Sequence, residues 1–199
     1  MVQQFINLVC SLHIHEIKVA EVGVRDGSST KEYMPHVKAL NGHIWAVDWF
    51  KGNPYRTNLH AENQDKTDEQ WYNTFLGSIQ NDITNMTILR ECSSSASEKI
   101  PDRSLDICFI DGDHRYWQVM SDIELYLPKV KIGGIFCGHD LSGRGKKNEF
   151  TAKDMYKYVV YNGEHISVKQ AVYDWFGENY ENMGDDMWKI IVTGQESLN

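Results

Sequence analysis

Residues 105–140 read LDICFIDGDHRYWQVMSDIELYLPKVKIGGIFCGHD. Leu105 to Ile110 is a short, nearly continuous apolar run, the pattern of a strand buried on both faces. Tyr116 to Val130 carries apolar residues at helical spacing and predicts a long helix. Gly133-Gly134 then opens a further strand, Ile135 to Gly138. Strand, helix, strand over this length is a right-handed crossover between parallel neighbours.

The same alternation continues outward. Residues 3–12 (QQFINLVCSL) predict an amphipathic helix within an N-terminal segment 1–16. Lys18 to Val24 is a strand ending in glycine, and a helix runs to Leu40 behind the cap candidates Ser28, Ser29 and Thr30. His43 to Val47 is a strand stopped at Asp48. Asp68 to Ile79 reads as a helix with Trp71, Phe75 and Leu76 inward, and Met86 to Leu89 as a strand. A short helix is expected around Ser95 to Ile100. Towards the C-terminus come a helix through Lys169 to Phe176 and a strand from Met187 to Val192. The acidic run 178–186 reads as a solvent-exposed turn. Residues 51–66 and 141–166 lack periodicity and are expected to be substrate loops; the second carries a basic stretch with Arg144, Lys146 and Lys147. The whole, residues 1–199, reads as one α/β domain with a parallel sheet covered on both faces.

The chain has 199 residues, 41% hydrophobic and 24% charged, and a formal net charge of −8. That charge argues against nucleic acid or an anionic membrane surface as a partner, since both call for a basic face. No apolar stretch approaches the ~20 residues needed to span a bilayer. The four cysteines, Cys10, Cys92, Cys108 and Cys137, form no CxxC pair. They suggest a reducing, cytoplasmic setting rather than a disulfide framework. A homo-oligomer is a possible partner, and the sequence leaves the oligomeric state open.

In a parallel sheet, ligands bind beyond the carboxyl ends of the strands. The chemically capable residues fall there: Gly23 with the turn 25–29, Asp48, Glu91 with Ser93-Ser94, Asp111-Gly112-Asp113-His114, and His139-Asp140. EVGVRDGSST (21–30) has an acid, Glu21, two residues before Gly23, and Gly27 four residues further on. Glycines at such a turn let backbone approach a ligand, and the next helix offers free N–H groups. Asp48, stopping a strand at its carboxyl end, can accept two hydrogen bonds there, and Trp49 beside it offers an aromatic face for stacking. Two aspartates and a histidine crowded after a buried strand call for a cation, a substrate proton or strong hydrogen-bond partners. Asp111, His139 and Asp140 can converge on a divalent ion such as Mg²⁺. Asp113 reads equally well as a helix cap, and His114 as a general base with a pKa near neutrality.

EVGVRDGSST resembles motif I of the class I S-adenosylmethionine (SAM) dependent methyltransferases. Residues 110–140 resemble a broad group of small class I enzymes with an I-D-G-D-H-x-Y run, a helix, then P-G-G-x-x-x-G-H-D. The resemblance spans roughly 18–192. It implies a Rossmann-like, doubly wound, mostly parallel seven-stranded sheet with helices on both faces. It also implies SAM as cofactor, held by Glu21, Gly23, Gly27, Ser28, Asp48, Trp49, Ser93, Ser94 and Asp111. By analogy with catechol-type and sugar O-methyltransferases, Asp111, His139 and Asp140 take a metal and a small molecule is methylated on oxygen. Asp111 and His114 are then the catalytic pair, with His114 at the offset of the catechol-type catalytic lysine. His139 departs from the aspartate those enzymes have. A nicotinamide-dependent oxidoreductase lacks its GxGxxG here and is the second class; a non-catalytic binding protein on the same fold is the third.

Overall fold

The computed structural model describes residues 1–51, 66–141, 160–161 and 164–196. Most of the two expected substrate loops, with Arg144, Lys146 and Lys147, lies outside these residues. Seven strands form one sheet: β1 (Lys18–Val22), β2 (His43–Val47), β3 (Met86–Leu89), β4 (Leu105–Ile110), β5 (Val130–Gly138), β6 (Glu181–Gly184) and β7 (Met187–Ile191). Their order is β3-β2-β1-β4-β5-β7-β6. The first five strands are parallel, whereas β5–β7 and β7–β6 are antiparallel. A two-stranded ribbon, Val160–Tyr161 with Glu164–His165, stands apart from the sheet.

Among the described residues six helices cover the sheet: α1 (Val2–Ser11), α2 (Thr30–Ala39), α3 (Asp68–Ser78), α4 (Ser93–Ser97), α5 (Tyr116–Tyr126) and α6 (Ile166–Phe176). All six residues of β4 are buried, as a central strand with helices on both faces requires. Because side chains alternate across a strand, Ala20, Val22, Cys108 and Ile110 join one core with α4, α5 and α6. Val19, Ile107 and Phe109 join the other, with α1, α2 and α3. The sheet is therefore doubly wound, as expected.

Several boundaries differ from the expectation, some by one or two residues and others by more. The helix from Tyr116 stops at Tyr126, because Pro128 cannot continue the backbone ladder; Leu127–Lys129 form a 3₁₀ turn and β5 begins at Val130. The short helix lies at Ser93–Ser97 rather than 95–100, which puts Ser93 in its first turn. The acidic run 178–186 contains the edge strand β6. Asp185 and Asp186, both left-handed at φ +46° and +61°, make a two-residue hairpin turn between Gly184 and Met187. The α2 N-cap is Ser29, but its side chain makes no capping bond. At α3 the local chemistry is stronger, with Thr67 and Gln70 forming a reciprocal capping box.

Candidate active site

The strand order reverses beyond β1, with β2 on one side and β4 on the other. This switch point is where an open α/β sheet leaves a crevice. Gly23 sits on it. Its N–H donates to the Val47 carbonyl at 2.8 Å, and Asp111 N–H donates to the Val22 carbonyl at 2.8 Å. A Cβ at Gly23 would lie 2.5 Å from the Asp111 carbonyl oxygen, and φ is +99°. The glycine is thus demanded by close approach between the β1 and β4 ends as well as by conformation. Gly27, at φ +75°, rests on Phe75 of α3, which a Cβ would meet at 3.0 Å.

Asp48 lies just past β2 and is held by backbone. Its Oδ2 accepts the Arg25 N–H at 2.8 Å and its Oδ1 accepts the Phe50 N–H at 2.7 Å. Both donors are left-handed, Arg25 at φ +51° and Phe50 at φ +56°. Burial pushes the Asp48 carboxyl up, and the two N–H groups pull it back. Each oxygen keeps a further acceptor position, so the group remains able to take two ribose hydroxyls. Trp49 beside it is 41% exposed. Ser28 is exposed, its N–H on Asp26 Oδ1 at 3.1 Å.

Glu21 faces the other way. It is 1% exposed, and its Oε2 accepts Thr30 Oγ1 at 2.5 Å and Tyr33 O–H at 2.7 Å, bracing α2 on β1. Burial, only partly offset by those bonds, raises its pKa to about 7. At α4, Ser93 Oγ accepts from Gln118 Nε2 at 3.1 Å, and the Ser93 carbonyl accepts from Tyr126 O–H at 2.7 Å. Gln118 also donates to Asp122, a buried carboxyl that burial pushes up to about 6. Ser94 Oγ lies 3.2 Å from Cys92 Sγ.

The ends of β4 and β5 bring four predicted side chains together. His114 Nδ1 lies 2.9 Å from Asp140 Oδ2, and its Nε2 lies 3.4 Å from Asp111 Oδ1. His139 Nδ1 is 3.4 Å from Asp140 Oδ1 and 3.7 Å from Asp111 Oδ1. Burial disfavours a charged His114, but the Asp111 and Asp140 carboxylates beside it outweigh that and raise its pKa well above the usual value. His139 is raised by the same competition. Burial likewise opposes the Asp140 charge, and the two imidazoles hold its carboxyl well below the usual range. Asp140 reaches this position with a left-handed backbone, φ +58°. Asp113 stands aside: it accepts from the Arg115 N–H at 3.1 Å and from the Arg115 guanidinium Nε at 2.8 Å, a local turn before α5.

One donor atom each from Asp111, His139 and Asp140 lie within 4.8 Å of one another. Two carboxylates and an imidazole suit a divalent cation, so the donor set fits a metal. Asp140 divides its oxygens, Oδ2 to His114 and Oδ1 towards His139. Sequence reasoning did not identify Arg25 and Phe50 as the anchors of Asp48. Nothing local marks a backbone donor; the signal is the left-handed conformation, visible only in three dimensions.

Comparisons with known proteins agree with this geometry. Residues 20–141, more than half of the chain, match the family model of a methyltransferase domain. An uncharacterized protein, y4gI, of Sinorhizobium fredii (strain NBRC 101917 / NGR234) is 26% identical over 129 residues, covering 64% of this chain and 13% of its own. The uncharacterized protein R132 of Acanthamoeba polyphaga mimivirus is 24% identical over 143 residues, 67% of this chain and 56% of its own. The chain therefore spans only part of the length of both relatives. Among solved structures, cofactor-bound Rv0187 from MTB superposes with a TM-score of 0.66 at 12% identity, covering 97% of this chain and 81% of that one. The O-methyltransferase NovP gives a TM-score of 0.63 at 16% identity, covering 96% and 78%. The MycE methyltransferase of the mycinamycin pathway, in complex with Mg, SAH and mycinamycin VI, gives 0.54 at 12% identity, covering 94% and 48%. Identities this low speak for the fold. The family match speaks for more, and with the sheet order and the strand-end site in agreement, this chain belongs to the methyltransferase-domain family.

Proposed function

We propose that this domain transfers the methyl group of SAM to an oxygen of a small-molecule acceptor, with a divalent cation at Asp111, His139 and Asp140. The carrying observation is the convergence of those three residues and His114 at the ends of β4 and β5, directly beside the Gly23 turn, in a member of a methyltransferase family. SAM supplies an electrophilic methyl group on a sulfonium and needs little further activation. The protein's part is alignment of the nucleophile and removal of its proton.

Asp48 and the turn Gly23–Ser28 would hold the adenosine and methionine parts, with Trp49, Ser93 and Ser94 along the base and Asp111 at the meeting of the two halves. Glu21 supports this turn from below through α2. A divalent ion on Asp111, His139 and Asp140 would acidify a coordinated acceptor hydroxyl. The carboxylates that flank His114 favour its protonated form, which departs from the near-neutral base expected from sequence; His114 would take the acceptor's proton only once a cation on Asp111 and Asp140 draws on their charge. NovP is an O-methyltransferase, and MycE was solved with Mg and SAH, which supports oxygen as the nucleophile and a metal in this fold.

Family membership sets aside the nicotinamide oxidoreductase alternative. We place the domain in the cytoplasm, in keeping with four free cysteines. No helix among the described residues is long and apolar enough to cross a membrane. Calorimetry with SAM and its product S-adenosylhomocysteine (SAH), with and without Mg²⁺ or Mn²⁺, tests the reading. Binding that is lost in Asp48→Ala and strengthened by metal supports it. No binding of either compound under any condition refutes it, and binding without methyl transfer to any acceptor would leave a non-catalytic binding domain.

A further inference from the structure

Beside Asp48, two cations rest on one aromatic ring. The Arg25 guanidinium carbon lies 5.7 Å from the Trp71 ring centroid, and the Lys66 ammonium lies 4.6 Å from the same point. Sharing a centroid puts the two charges at most about 10 Å apart. Trp71 is 7% exposed and packed in the α3 core, so the seat is rigid. Arg25 is fixed from its other end too, by its left-handed backbone and its N–H on Asp48. Lys66 directly precedes Thr67, the capping residue of α3.

A neighbouring pair supplies the contrast. Arg90 stacks on Tyr72 at 4.5 Å, and Glu69 neutralises it at 2.8 Å. Among the described residues neither Arg25 nor Lys66 has an ion-pair partner within 4 Å; the Asp48 carboxylate is near enough to feel the Arg25 charge, and Lys66 has no such neighbour, although the chain carries 28 acidic residues against 20 basic ones. One cation would suffice to cover the indole. A second adds repulsion, which an anion bridging the two would relieve. A guanidinium fork and an ammonium within about 10 Å of each other suit a phosphate or diphosphate better than a single carboxylate, because the group presents several oxygens and up to two charges or more along its length.

We infer that Arg25 and Lys66, seated together on Trp71, form an anion subsite that takes a phosphate or diphosphate group carried by the methyl acceptor. The assignment to an acceptor rests on the methyltransferase reading. Arg25 is two residues beyond Gly23, whose Cα packs on Asp111 and Gly112. An acceptor with its hydroxyl at the Asp111 cluster can therefore extend its charged end over the turn after β1.

Inorganic pyrophosphate is the probe, titrated calorimetrically into the full chain alone and saturated with SAH. Expected is saturable binding that SAH leaves intact, that weakens with added salt, and that falls about fivefold or more in Arg25→Gln and in Lys66→Gln. Arg90→Gln, whose cation is already paired, should bind as the parent does. Absence of binding in a protein that takes up SAH overturns the subsite while sparing the methyltransferase reading. Competition by SAH overturns it as well, because the cations would then serve the cofactor's own carboxylate. Equal binding by all three variants and the parent also refutes it. Pyrophosphate binding by a protein that takes up no SAH would overturn the assignment to an acceptor.

Discussion

At the ends of β1 and β2 the site is fixed by backbone: Gly23 against the Asp111 carbonyl, and Asp48 between the N–H groups of Arg25 and Phe50. At the ends of β4 and β5 the contacts run between side chains, through His114 and His139 to Asp111 and Asp140. The first half is thus rigid, because main-chain donors are positioned by the sheet itself. The second half depends on charge, since two neighbouring carboxylates repel one another and a positive group among them offsets that repulsion. In the structure, the imidazoles of His114 and His139 lie among them. On the proposed function the difference gives the halves different tasks: one would recognise a constant ligand, and the other would manage protons and ions.

The largest expected effect tests the rigid half. Gly23→Ala places a Cβ 2.5 Å from backbone at φ +99°, and should cost roughly 4 kcal/mol or more, enough to threaten folding. Gly112→Ala, just across the strand ends, meets nothing nearer than 3.6 Å and should unfold within about 1 kcal/mol of the parent. Denaturant titration of the two variants checks this pair. Equal losses would mean that the strand ends are not held by close backbone contact.

The charge-dependent half should respond in turnover. Asp140→Ala removes a contact of both His114 and His139, and should lower methyl transfer on the order of a hundredfold or more. SAH affinity without added metal, which the proposed reading sets in the other half, should change no more than about threefold. Loss of SAH binding in this variant would show that the two halves are not separable.

Glu21 ties stability to pH. Its pKa is raised from 4.5 to about 7, so the folded state binds the proton more tightly than the unfolded state does. The stabilisation is fully present below pH 4.5 and is lost as pH rises through about 7, a change on the order of 3 kcal/mol at most. Glu21→Gln should flatten that part of the pH–stability curve while keeping bonds to Thr30 and Tyr33. An unchanged slope would mean that other groups carry it.

The smallest effect belongs to Asp48→Ala. It strands the Arg25 and Phe50 N–H groups and removes the proposed ribose acceptor, so SAH affinity should fall roughly tenfold to a hundredfold. Calorimetry decides the matter, and parent-like affinity would remove Asp48 from the cofactor site.

Periodicity and strand-end placement were enough to expect β2, β3 and β4 at their observed limits and the site residues at the carboxyl ends. Those features are local: a strand buried on both faces must be apolar throughout, and the residues just past its carboxyl end face the crevice. At other positions, pairing across the fold was decisive. Val130 looks helical in sequence, yet Pro128 ends the helix and Leu105 offers it a strand partner. ENMG looks like a solvated turn, yet β7 pairs with it through a left-handed Asp185-Asp186 corner. Glu21 fits a cofactor motif, while its oxygen is bonded to Thr30 and Tyr33 beneath the site.

The sequence by itself determined the doubly wound α/β class, the ends at which chemistry can occur, and the set Asp111, His114, His139 and Asp140, because each rests on short-range pattern and residue type. Only the tertiary structure decided which oxygen faces which imidazole, that Asp48 is gripped by two left-handed amides, and that Arg25 and Lys66 share one indole. Those relations join residues distant in the chain, and their distances exist only once the sheet has brought the strand ends together.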